Sequence, residues 1–168
     1  ANINGLFLLV RASGLLLVQK VGKKKKLVID QAALKSWQSL NPTERYFTLV
    51  ETLITRVSLE IIGEHESLYD HPLYRLSELL KRLPKSGLKP AKDKFFQESG
   101  LIYYGAHNLA LGEMFGWLEI KHGAGMPGKG WIIQEIKGTD FGITLVSLAR
   151  ESYQTLDYEW ENALEEGE

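Results

Sequence analysis

The sequence contains no cysteine. Disulfides and thiolate metal sites are therefore excluded, and the absence is typical of a protein kept in a reducing cytoplasm. Long apolar runs are missing too. A helix that spans a bilayer needs about 20 consecutive apolar residues, and no run in this sequence is that long. The longest run, residues 5–18, is interrupted by Arg11 and Ser13. We therefore expect a cytoplasmic protein that has no membrane partner.

Motifs of catalysis are also missing. The chain has neither a GxSxG elbow nor an HExxH pair, and it offers no cysteine nucleophile. Residues 123–130, GAGMPGKG, resemble a phosphate loop only superficially, because no Ser or Thr follows Lys129 and a strand is predicted next. We therefore expect no catalytic residue, no cofactor and no enzyme activity in this chain.

One histidine pair is a candidate for a metal site. His65 and His71 lie in a connection rich in carboxylates, residues 64–72, EHESLYDHP. Imidazole and carboxylate ligands suit several divalent metals. The spacing matches no known ligand motif, and a solvated polar loop explains the same composition, so we predict no metal site.

The composition is that of an ordinary globular protein, with 44% apolar and 24% charged residues in 168. The net charge is only −1, but it is distributed unevenly. Residues 1–40 carry seven Lys or Arg against Asp30 alone, whereas residues 151–168 carry seven acids and no Lys or Arg. This asymmetry suits an anionic partner at one end. Mutual attraction of the two ends, or solubility alone, explains it as well.

A pattern near the start of the chain returns about a hundred residues later. Residues 6–18, LFLLVRASGLLLV, and residues 109–120, LALGEMFGWLEI, each read as a helix, a glycine turn and a strand. A Gly/Lys-rich turn and a second strand follow each of them. Helix, strand, wing and strand are typical of a winged helix. The fold class predicted is α+β, mainly helical, with tandem winged-helix-like units.

Three further helices and a linker are predicted between these units. Residues 31–40 have a helical apolar face, and Asn41, Pro42 and Glu44 form a capping-box start for a helix that ends near Gly63. Residues 72–83 form the next helix, with leucines facing inward. The segment 84–93, PKSGLKPAKD, has the composition of a linker. A last helix is expected from about Ile143.

These helices set the predicted domains. A winged helix needs two helices before its recognition helix, and residues 42–62 and 72–83 supply them for the second unit. We therefore expect an incomplete first unit over 1–40, a complete winged-helix-like domain over 41–150, and an acidic helix or tail over 151–168. The helices missing from the first unit either lie upstream in a longer parent protein, or residues 1–40 pack on the complete domain.

The basic first hairpin is the candidate nucleic-acid site. Ammonium groups at a wing tip can lie along phosphates and release counterions. The residues assigned to this site are Arg11, Lys20, Lys23, Lys24, Lys25 and Lys26. A solvated lysine tip that deters edge-to-edge aggregation is the alternative.

The second unit is a poor candidate for reading DNA. Its presumed recognition helix, residues 107–115, contains no Lys or Arg, so only His107 and Asn108 could contact base edges. Four aromatic residues are assigned to the core rather than to base stacking: Trp37, Phe47, Trp117 and Trp131.

The strings NINGLFLLVRASGLLLV (residues 2–18) and LKSWQSLNPTERYFTLVETLI (residues 34–54) carry a family resemblance. Over residues 2–62 the chain resembles bacterial, often cyanobacterial, proteins described as plasmid open-reading-frame-three-like. The resemblance implies an accessory segment of a larger cytoplasmic protein and transfers no functional residue.

The function expected is a non-catalytic interaction module, with nucleic-acid contact through the first wing. The alternative is a tandem winged-helix transcriptional regulator that binds DNA. The partners considered are double-stranded DNA, a protein partner or second copy, and the remaining domains of the parent protein.

Overall fold

The computed structural model describes residues 2–56, 72–124 and 131–151. Within them the fold is α+β and mainly helical, with two antiparallel hairpins, as the sequence predicted. Contacts divide the chain into two compact units, Ala1–Pro72 and Leu73–Glu168. The sequence placed the helix that starts at Pro42 in the second domain, whereas the contacts place it in the first unit. These units are defined by contacts alone, so the predicted domain boundaries stay predictions.

The first unit consists of helices around one hairpin. Its described elements are α1 (Asn2–Ala12), β1 (Leu16–Val21), β2 (Lys24–Ile29), α2 (Gln31–Ser39), α3 (Pro42–Glu51) and a π-helical turn (Thr52–Arg56). The capping box is confirmed, since the Glu44 amide donates to Asn41 Oδ1 at 3.0 Å and the Asn41 amide donates to Glu44 Oε2 at 2.8 Å. This pair satisfies amides that a helix start leaves without partners.

Few apolar side chains are buried among the described residues of the first unit. Leu9, Val50 and Leu53 are buried, and α1 contacts the π-helical turn that follows α3. The assignment of Phe47 to the core is wrong, because its ring is 51% exposed. Phe47 packs edge-on against Tyr46, with ring centroids 5.3 Å apart. The apolar stripe of α3 thus has a buried residue, Val50, and an exposed one, Phe47.

The second unit has the larger core. Its described elements are α4 (Pro72–Arg82), a 3₁₀ turn (Pro90–Lys92), a π-helical turn (Phe96–Gly100), α5 (Leu101–Tyr104), α6 (Ala106–Met114), β3 (Leu118–His122), β4 (Ile133–Gly138) and the helical residues 140–151. Four of the predicted inward leucines are buried, Leu73, Leu76, Leu79 and Leu80, whereas the fifth, Leu83, lies after the end of α4 and is half-buried. Trp117 is fully buried, as predicted, and stacks on Phe115 at a centroid distance of 4.9 Å.

The predicted linker is part of this core. Leu88 is only 7% exposed, and its amide donates to the Ile136 carbonyl at 2.7 Å while the Ile136 amide donates back at 2.8 Å. This reciprocal pair adds one residue of antiparallel pairing to β4. The prediction of a linker over 84–93 is therefore wrong, because one apolar residue among the prolines and lysines joins the sheet.

Several predictions lie outside the described residues: the end of the helix at 57–62, the histidine pair at 65 and 71, most of the second wing at 125–130, and the acidic segment at 152–168. Among the residues that are described, no helix is both long and apolar enough to cross a membrane.

Candidate nucleic-acid interface

The first hairpin closes with a tighter turn than the sequence indicated. A basic loop was expected over 22–26, but β1 and β2 pair from Leu16 opposite Ile29 to Val21 opposite Lys24. Only Gly22 and Lys23 remain in the turn. Gly22 has φ +62°, whereas Lys23 does not have a positive φ, because no described residue other than glycine has one. A positive φ at the first of the two turn residues alone is typical of a type II′ hairpin turn.

Three of the lysines therefore belong to a strand. Lys24, Lys25 and Lys26 occupy the first half of β2, where Lys25 lies directly opposite Lys20 of β1. Opposite residues in an antiparallel pair project from the same face. Lys20 and Lys25 thus share one face, and Lys24 and Lys26 share the other. The basic tip, defined as Lys20 and Lys23–Lys26, presents ammonium groups on both faces of the hairpin.

Hydrogen bonding makes Lys20 and Lys25 a close pair. The Asp30 amide donates to the Leu15 carbonyl at 3.1 Å, so residues 15 and 30 form a hydrogen-bonded pair. Along an antiparallel ladder, such pairs alternate with pairs that lack mutual hydrogen bonds. Lys20 and Lys25 form a pair without mutual hydrogen bonds. In pairs of this kind the side chains approach each other most closely. Like charges in this position destabilise a hairpin. A bound polyanion would relieve this repulsion.

The basic tip lacks local neutralisation. All five lysines are exposed, and none forms an ion pair within the parts of the chain that the structure describes. The nearest acids along the sequence have other roles. Asp30 caps α2 by accepting from the amides of Ala32 and Ala33 at 2.9 and 3.0 Å, and Glu44 closes the capping box of α3. No acid among the described residues is thus paired with the tip.

Arg11 is not brought to the tip. It lies in the last turn of α1, before the start of β1, with its guanidinium 5.8 Å from the ring centroid of Phe7. The tip is at the other end of β1, about 17 Å along a six-residue strand. Arg11 therefore belongs to the base of the hairpin, and its nucleic-acid role stays a prediction.

The presumed recognition helix of the second unit, α6, is buried from Asn108 to Gly112, whereas His107 is half-buried. Asn108 is 1% exposed and donates from Nδ2 to the Tyr104 carbonyl at 3.0 Å. Leu109, Ala110 and Leu111 beside it are also buried. Asn108 is therefore inaccessible to a base edge. The expectation that this unit is a poor DNA reader stays a prediction.

A polar cluster at the second hairpin was missed from the sequence. The Trp131 indole N–H donates to His122 Nδ1 at 2.8 Å, so His122 Nε2 carries the ring hydrogen and donates to Glu113 Oε1 at 2.7 Å. The rings of His122 and Trp131 lie 5.7 Å apart. Trp131 is half-buried beside this histidine rather than in the core. The only sequence signal was that His122 and Trp131 flank the Gly-rich turn.

Arginines on aromatic rings were also missed. The guanidinium of Arg75 lies 4.1 Å from the ring centroid of Tyr103, and that of Arg82 lies 4.3 Å from Phe95. Arg150 donates to Glu78 Oε1 at 2.7 Å. Such contacts stabilise helix packing by about 1 kcal/mol or less where exposed. They occupy these cations, in contrast to the lysines of the basic tip.

Comparison of the chain with models of known protein families, with curated proteins and with solved structures finds no match. The functional assignment therefore depends on the geometry of the two hairpins and on the charges that they carry.

Proposed function

We propose that this chain is a non-catalytic binding module of the winged-helix type, whose basic tip contacts the phosphate backbone of nucleic acid. One observation carries the proposal. Five exposed lysines are held at the end of one hairpin without acidic partners among the described residues, and two of them are directly opposite each other.

The order of elements in the second unit supports a winged-helix plan. Helix α4 is followed by the single bridge of Leu88 to β4, then by helical segments to Tyr104, a tight turn at Gly105, and α6. Gly105 has φ +76°, which lets the two helices meet at one residue. The hairpin β3–β4 follows. In this reading the first helix of the module is α4 rather than the helix that starts at Pro42.

The first unit has the last three elements of a winged helix, a helix followed by a hairpin. Here α1 leads through a glycine turn into β1 and β2. Its wing is short and basic. The contact we propose is therefore made by the wing alone. Such phosphate contacts do not read base sequence, so the module binds nucleic acids of different sequences with similar affinity. The tandem transcriptional regulator is the weaker candidate, because α6 turns its only amide side chain inward.

The test replaces Lys23, Lys24, Lys25 and Lys26 with glutamine and measures binding to a fluorescent DNA duplex at low salt. We expect the native chain to bind and the variant to lose at least tenfold in affinity, since each phosphate contact adds to the salt-dependent part of binding.

The matched control replaces four exposed lysines of the second unit, Lys85, Lys89, Lys92 and Lys94, with glutamine. Both variants change the net charge equally. Equal losses in the two variants would show that net charge rather than the tip governs binding. Absence of binding by the native chain at low salt would remove the proposal.

A further inference from the structure

The two edges of the first hairpin are chemically different. In the described residues, β1 pairs with β2 and with no other strand. The outer edge of β2 begins with Lys24–Lys26, and a run of lysines protects an edge from pairing with another chain. The outer edge of β1, LLVQKV, has a single lysine. Protection by lysines is therefore confined to β2, and the β1 edge is unpaired within the described part of the chain.

The backbone groups of the β1 edge can be assigned. Because residues 15 and 30 are hydrogen-bonded to each other, Leu17, Gln19 and Val21 direct their N–H and C=O groups toward β2. The groups of Leu16, Val18 and Lys20 therefore point away from the hairpin. They form a row of donors and acceptors that an added strand would satisfy.

Three apolar side chains along this edge are exposed. Leu17, Val18 and Val21 each expose about half of their surface, on both faces of the strand. A two-stranded sheet is only marginally stable in water, and additional strands stabilise it. Both the backbone and the side chains of β1 thus favour a further strand.

We propose that the β1 edge pairs with the β1 edge of a second copy of this chain, in an antiparallel, two-fold symmetric arrangement. The register follows from the outward groups. Val18 faces Val18 of the second copy, and Leu16 faces its Lys20, which gives about six backbone hydrogen bonds in a four-stranded sheet.

The charges of the β1 edge accommodate a second copy as the occupant, because the register places no like charges opposite each other. In this register each Lys20 faces a leucine, and the two Lys20 residues are about 13 Å apart along the sheet, beyond the screening length at physiological salt. The basic tips point in opposite directions. The β1 contact is small, so we expect a weak dimer with a dissociation constant on the order of micromolar.

The first test compares two proline variants of the complete chain. Val18 and Leu27 are cross-strand partners with matched exposure, 47% and 48%, and the N–H of each points away from the hairpin. Val18→Pro removes a donor from the β1 edge, and Leu27→Pro removes one from the β2 edge; neither removes a hydrogen bond within the hairpin. Sedimentation velocity from about 1 µM to several hundred µM should give dimerisation for native and Leu27→Pro chains. The Val18→Pro chain should stay monomeric, with dimerisation at least tenfold weaker.

The second test does not depend on tolerance of proline. The chain has no cysteine, so Val18→Cys and Leu27→Cys each carry a single thiol. Facing hydrogen-bonded residues have Cα atoms about 5.5 Å apart, within the range that a disulfide bridges. Mild oxidation should cross-link Val18→Cys chains at least tenfold faster than Leu27→Cys chains. A native chain that is monomeric throughout, or equal cross-linking of the two cysteine variants, would overturn the proposal.

Discussion

Among the described glycines of the second unit, Gly142 lies nearest to other backbone atoms. A Cβ placed there would overlap the Cα and the carbonyl oxygen of Trp117, and backbone atoms cannot give way as a flexible side chain can. The amide of Gly142 also donates to Thr139 Oγ1 at 2.9 Å at the start of the last helix. The helix is thus packed directly against the backbone of the buried tryptophan.

Gly142→Ala is expected to destabilise the fold by about 3 kcal/mol, although the same change in an open helix stabilises by about 1 kcal/mol. Urea denaturation measures the difference. Thr144→Ala, at an exposed position of the same helix, is the control and should change stability by about 0.5 kcal/mol or less. A neutral or stabilising Gly142→Ala would contradict the packing described for this helix.

Tyr104 has a pH-dependent role. Burial raises the pKa of this phenol above its usual value of 10.0, against the lowering effect of Arg82. The folded state therefore holds the proton more tightly than the unfolded chain does. The stability that the protonated Tyr104 phenol contributes is fully present below pH 10. It is lost as the pH rises through the raised pKa of the folded state.

Tyr104→Phe should reduce the loss of stability on going from pH 9 to higher pH, because the group that ionises on unfolding is gone. The measurement is the unfolding midpoint in urea as a function of pH. Tyr103→Phe, at a ring that is 40% exposed, serves as the control and should leave the alkaline loss in place. Identical profiles for native and Tyr104→Phe chains would show that this phenol does not contribute.

At the scale of secondary-structure elements, the bridge between Leu88 and Ile136 shows that residues 84–93 are packed against β4. Leu88→Ala should lower the free energy of unfolding by about 2–3 kcal/mol, the usual cost of truncating a buried leucine. Hydrogen exchange should also show protected amides at Leu88 and Ile136, which donate to each other's carbonyls.

Leu101→Ala is a suitable control, because that side chain lies at an exposed position of α5. It should cost about 1 kcal/mol or less. If both variants change the free energy of unfolding equally and little, and the Leu88 amide exchanges fast, residues 84–93 are a linker after all.

Local chemistry explains which elements could be predicted from the sequence. The capping box at Asn41 and the leucine spacing of α4 act within a few residues, so both helices were located correctly. The Leu88 bridge depends on β4, 48 residues away in the sequence, and left no local pattern. The strand position of Lys24–Lys26 was missed because lysine is uncommon in strands, although pairing through Leu27 and Val28 sets the register.

The candidate site was predicted only in part. The lysine run identified the basic tip, because charge is visible in composition. Its division between two faces could not be predicted, since this depends on the length of the turn at Gly22. The Glu113–His122–Trp131 cluster joins α6, β3 and the residue pair before β4, and no spacing rule connects such distant positions.

At the scale of the whole molecule, basic and acidic residues are concentrated at opposite ends of the sequence. A net charge of −1 conceals a basic first forty residues and an acidic final eighteen. Long-range repulsion from DNA is therefore weak, and local contacts at the tip determine the interaction. Binding to nucleic acid should accordingly be sensitive to salt while being insensitive to DNA sequence.

The salt dependence of duplex DNA binding tests the central claim most directly. The logarithm of the association constant, plotted against the logarithm of salt concentration, should fall with a slope of about −3 to −4 for the native chain, since each lysine on a phosphate contributes about −0.9. The Lys23–Lys26 glutamine variant, which keeps Lys20, should have a slope of about −1 or shallower. The same slope for both proteins, or no measurable binding by the native chain at low salt, would contradict the account.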